Sequence, residues 1–145
     1  MPRIGFKVPR TYRYILYAVL GVSLISGLTF YYLNTWGIVE GPFGPEIHPA
    51  QKYFLMVHGA SAFLFMMSFG IMLANHVPAT WRTKRSRVLG VALVSLGSFQ
   101  IISAYCLYYI GSPEIRPILA NAHTIIGTSI PIILIGHLVA GRKKR

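Results

Sequence analysis

Residues 53–76 read YFLMVHGASAFLFMMSFGIMLANH, a run of 24 positions with no Asp, Glu, Lys or Arg. As an α-helix rising 1.5 Å per residue it covers about 36 Å, more than the roughly 30 Å hydrocarbon core of a bilayer. The run shows no period-two alternation, which argues against a barrel strand. In lipid, where the backbone must satisfy its own polar groups, the helix is the other option. Two histidines, His58 and His76, lie within it. The stretch reads as a membrane helix carrying ionisable groups.

Three further apolar runs of similar length occupy 14–33, 88–110 and 118–140, with the second span at 53–75. The expected fold is all-α: a four-helix transmembrane bundle, up-down-up-down, in a single domain of 145 residues. Composition agrees, with 54% apolar residues, mean hydropathy +0.55 and 12% charge. A soluble domain carries roughly 25% charged residues, so an ordinary cytosolic enzyme and a disordered chain are both excluded. Tyr12, Tyr14, Tyr31, Tyr32, Trp36, Tyr53, Trp81, Tyr108 and Tyr109 gather at the expected span ends, as an interfacial aromatic belt does. The connection 34–52, rich in Gly and Pro and without periodicity, is expected to form a structured cap.

The net charge of +11 is unevenly placed. Arg3, Lys7, Arg10 and Arg13 precede the first span, Arg82, Lys84, Arg85 and Arg87 separate the second from the third, and Arg142, Lys143, Lys144 and Arg145 close the sequence. The other two connections hold Lys52 and Arg116 with all the acids, Glu40, Glu46 and Glu114. By the positive-inside rule both termini are expected in the cytoplasm of a bacterial inner membrane, with 34–52 and 111–116 outside. The basic segments read as topology signals touching anionic lipid, and no recognition fold points to nucleic acid. The first span is longer than a signal-peptide core and no Ala-x-Ala site follows it, so an uncleaved span is expected. Cys106, a lone cysteine inside span three, reads as a packing residue.

Four of the five histidines fall in or at the ends of two spans: His58 and His76 in the second, His123 and His137 in the fourth. Ionisable groups there are costly and point to function. At about 100° per residue, the 18 residues from His58 to His76 make five full turns, and the 14 from His123 to His137 leave an offset of about 40°. Each helix then presents two imidazoles on one face. If these parallel helices face each other, His58 meets His123 near the outer leaflet and His76 meets His137 near the inner one. Two imidazoles flanking a flat macrocycle supply six-coordinate haem iron, with no open position and hence electron carriage rather than oxygen chemistry. The rise separates His58 from His76 by about 27 Å and His123 from His137 by about 21 Å, a mismatch that tilt, a kink at Pro131 or a displaced His76 would absorb.

Other readings compete. A single membrane histidine is often a polar contact between helices. Zinc wants four converging ligands, and these pairs lie about 20 Å apart along their helices with no acid or thiol nearby. A proton or ion path would show broken helices or repeats, and only Pro131 hints at a break. His48, in the outer loop, is either an ordinary loop residue or, with Glu46 and Glu114, a proton acceptor beside a quinol. Gly59, Gly70, Gly90, Gly97, Gly127 and Gly136 offer room for a macrocycle, or only close helix packing. Arg116 and Lys52 outside, and Arg82, Lys84, Arg85 and Arg87 inside, are the cations available to propionates. Phe63, Phe65, Phe69, Tyr105 and Tyr108 are candidate walls or plain lipid contacts.

At His58-Gly59, Asn75-His76-Val77-Pro78, Ser103-Ala104-Tyr105-Cys106-Leu107-Tyr108-Tyr109, Arg116, His123-x3-Gly127 and Gly136-His137 the chain resembles the small four-helix bacterial di-haem cytochromes b. These are distantly similar to the cytochrome b subunits of formate dehydrogenases and hydrogenases. The resemblance implies two haem b groups with His58, His76, His123 and His137 as axial ligands. It also implies electron transfer between membrane quinone and a redox partner such as a periplasmic cytochrome c or a larger respiratory complex. With no nucleotide motif, iron–sulfur cysteine set or CxxCH, the chain is expected to work with such a partner rather than as a complete dehydrogenase. The alternative is a haem-free anchor or assembly subunit of a respiratory complex, which needs only the helices and their basic flanks.

Overall fold

The computed structural model describes residues 8–81 and 86–142. Four helices are long and apolar enough to cross a membrane: Arg10–Trp36, Gln51–Trp81, Arg87–Tyr109 and Ile115–Gly141. Each contains or closely matches the run expected from the sequence. The helices extend past those runs because polar and aromatic residues at their ends keep helical hydrogen bonds where water replaces lipid.

Burial is inverted relative to a water-soluble protein. Val19 and Ile130 are the buried apolar residues among those described, while Ser26, Ser61, Ser68 and Ser103 are buried polar ones. Met67, Ile125 and Ile132 turn more than 60% of their surface outward. Such faces are untenable in water but match hydrocarbon, where small and hydroxylated residues fill the contacts between helices.

Residues Arg10–Met67 form one compact unit and the chain from Ser68 onward another. In the first, α1 (Arg10–Trp36) leads to an antiparallel hairpin of β1 (Ile38–Gly41) and β2 (Gly44–Ile47), followed by α2 (Gln51–Ile71). The stretch 34–52 is thus partly regular, where the sequence suggested no periodicity. Ile38 pairs with Ile47 and Gly41 with Gly44, the latter at φ +118°, a value glycine adopts without a Cβ penalty. The short strands surround a Pro-Phe tip whose Phe43 is 99% exposed. His48 joins hairpin to helix: its N–H donates to Gly37 O (3.0 Å), its Nδ1 accepts from Ala50 N–H (3.1 Å), and its carbonyl accepts from Gln51 N–H (2.9 Å).

In the second unit, the helix begun as α2 passes through a π-helical turn, Met72–His76, into α3 (Val77–Trp81). The cause is Pro78. It has no N–H to give Ala74, and its ring crowds that carbonyl, so the chain takes the wider i→i+5 pattern, closed by Val77 N–H to Met72 O. α4 (Arg87–Tyr109) and α5 (Ile115–Arg142) come next. Ser112 starts α5 as an N-cap, accepting Ile115 N–H on its Oγ (3.3 Å), with Pro113 next as the favoured first residue. α5 runs through Pro131 without interruption. Span two thus carries an irregularity, the π turn, that the sequence reading did not name.

Candidate functional site

His58 is positioned by α1. Its Nδ1 lies 2.9 Å from the backbone carbonyl of Ser23 and 3.4 Å from Ser26 Oγ. The Ser26 hydroxyl already donates to Val22 O at 2.6 Å. A carbonyl only accepts, so in the neutral ring Nδ1 carries the proton and Nε2 the lone pair. Gly27 makes the approach possible, because a Cβ there would stand 2.7 Å from His58 Cε1 and 2.9 Å from Nδ1. Sequence reasoning overlooked Ser23, Ser26 and Gly27. The available signal was their i, i+3, i+4 spacing, which puts three small residues on one face of α1.

His123 is positioned by α4 in a parallel manner: its Nδ1 lies 2.7 Å from Ser103 Oγ. Both rings thus have Nδ1 hydrogen-bonded to protein, the arrangement that orients an imidazole whose Nε2 binds a metal.

His76 and His137 lie near enough to interact electrostatically. In both, Nδ1 is buried without a hydrogen-bond partner. An unsatisfied buried polar group costs about 1–3 kcal/mol, so these two rings are not held in place by protein hydrogen bonds at Nδ1. His137 also lies beside the Ser86 backbone, and a Cβ on Gly90 would meet its Cε1 at 3.5 Å. The regular-helix arithmetic linking His58 to His76 ends at Ile71, since the π turn shifts the phase of everything after it.

The cations divide. Arg116 Nη1 donates to the carbonyls of Leu107 and Ile110 (3.1 Å to the latter), closing the C-terminus of α4. Lys52 lies over the Tyr53 ring at 5.0 Å. Arg87 donates to Trp81 O and stacks on the indole at 4.8 Å, with its Nε buried and unpartnered. Arg82, Lys84 and Arg85 lie outside the described residues. Of the acids, Glu114 accepts from Ser112 Oγ (2.7 Å), a bond that holds its carboxyl below the usual range. Glu46 packs over Gly41 in the hairpin. His48 serves the local turn described above. Cys106 is free and half-buried.

Among the described residues, no three His, Cys, Asp or Glu side chains converge on one point. Gly97 gives way to the Phe69 ring and Gly127 to the Gln100 amide, so these glycines are occupied by side chains rather than open. Comparison with protein-family models, curated proteins and solved structures finds no match.

Proposed function

We propose that the chain is a membrane-integral di-haem b-type cytochrome that relays electrons across a bacterial inner membrane, between quinone or quinol and a redox partner protein. His58, His76, His123 and His137 are its axial ligands. When bound, each haem supplies a one-electron ferric/ferrous couple. The observation that carries this reading is the bond from His58 Nδ1 to Ser23 O, which leaves the lone pair on Nε2 of a ring set inside a membrane span. His123 repeats the pattern through Ser103. His76 and His137, with Nδ1 buried and unpartnered, lack that pattern and enter the reading through their place in the sequence.

The protein's own groups hold the rest of the site. Lys52 and Arg116 on the outer connections and Arg87 on an inner one are the described cations within the sequence segments assigned to propionates. Twelve of the fourteen basic residues lie on the connections and termini assigned to the cytoplasmic side, which supports cytoplasmic termini. Glu40, Glu46 and Glu114 leave the other face more acidic, suited to a basic partner such as a periplasmic cytochrome c or an acceptor within a larger respiratory complex.

The test is haem stoichiometry after single ligand replacement. His58→Ala and His123→Ala should each reduce the haem content of the purified protein from two per chain to one. Retention of both haems in either variant contradicts the assignment, and a wild-type protein without haem leaves the anchor subunit as the better reading.

A further inference from the structure

Ser103 is 2% exposed, the most deeply buried of the polar residues described. Its Oγ stands 2.7 Å from His123 Nδ1 and 3.2 Å from the backbone carbonyl of Gln100. With the serine proton placed at Gln100 O, a carbonyl that only accepts, the serine lone pair faces the imidazole. The chain of donors then runs from His123 Nδ1–H to Ser103 Oγ–H to Gln100 O, and Nε2 holds the ring's lone pair.

We propose that Ser103 is a positioning residue that fixes His123 in this tautomer and strengthens Nε2 as a donor to iron; the proposal rests on the haem reading above. A hydrogen bond accepted from Nδ1–H shifts electron density into the ring and raises ligand basicity. A more basic axial ligand stabilises ferric iron over ferrous, so it lowers the potential of that one-electron couple. The acceptor for His58 is the Ser23 backbone carbonyl, which no side-chain substitution removes. The acceptor for His123 is a side chain, so its effect can be isolated by mutation.

The experiment is an optical redox titration of the full-length protein in membranes, comparing wild type with Ser103→Ala, Ser103→Thr and Ser129→Ala. Ser129 is a control in the same span as His123, its hydroxyl bonded to Ile126 O. Ser103→Ala should raise the potential of one haem and leave the other unchanged, with a matching change in the low-spin ferric g-values of that haem. Loss of that single haem in Ser103→Ala, with retention in Ser103→Thr, supports the same conclusion. Ser103→Thr, which keeps the hydroxyl, and Ser129→Ala should titrate as wild type. Unchanged potentials and g-values in Ser103→Ala overturn the proposal, as does a Ser103→Thr protein displaced as far as Ser103→Ala. A wild-type protein lacking haem removes the functional reading itself, and this inference with it.

Discussion

The imidazole of His58 occupies the space that a side chain on Gly27 would fill. A Cβ at Gly27 would approach the ring to 2.7 Å, closer than carbon atoms tolerate. Gly27→Ala should therefore push the ring away from Ser23 O. Overpacking of this kind typically costs about 1–3 kcal/mol, and here it also misdirects Nε2. The expected result is loss of one haem per chain with the protein still inserted. Gly21→Ala is the control, because nothing lies within 4 Å of a Cβ at that position. Equal haem content in the two variants contradicts the role given to Gly27.

Pro78 sets the π turn that carries His76. Replacing it with Ala restores a donor for Ala74 O and removes the ring clash, so the segment can close as an ordinary α-helix. Each residue added to or removed from the turn rotates the downstream helix by about 100°. On the di-haem reading, Pro78→Ala should weaken the haem assigned to His76 and His137 and spare the other. Haem counting combined with a redox titration distinguishes the two.

Much of this was legible in the chain. The four spans, their aromatic ends and the histidine positions follow from apolar run length and spacing. What escaped were features that depend on which atoms meet across helices. Nothing in a run of apolar residues says that Ser23 offers its carbonyl, rather than its hydroxyl, to His58. The π turn was hidden because a proline's effect on the ladder before it depends on how the chain relaxes. The β1–β2 hairpin was obscured because two four-residue strands are too short for alternation to register, although Gly41 and Gly44 bracket the turn.

Arg116 joins two helices by donating to the last carbonyls of α4 from the first turn of α5. A charged donor at an exposed helix C-terminus is worth about 1 kcal/mol, from hydrogen bonding and the helix dipole together. Arg116→Gln should lower thermal stability by that order. If Arg116 also meets a propionate, one haem potential should move while both haems remain bound. Calorimetry and a redox titration of the same preparation separate the two effects.

Ser112 caps α5 and donates to Glu114, keeping that carboxyl below its usual range. A depressed folded-state pKa contributes stability that is present above the unfolded value and lost as pH falls through the folded one. Ser112→Ala should raise the Glu114 pKa toward its ordinary value, measured by NMR titration of the labelled carboxyl. Loss of the cap itself should cost about 1 kcal/mol at neutral pH. A Glu114 that titrates identically in both proteins contradicts the link.

The most direct measurement is a dithionite-reduced minus oxidised spectrum of protein purified from haem-replete cells, with haem counted per chain. Two low-spin, bis-histidine b haems per chain are the predicted result. Protein that is folded, pure and free of haem would contradict it.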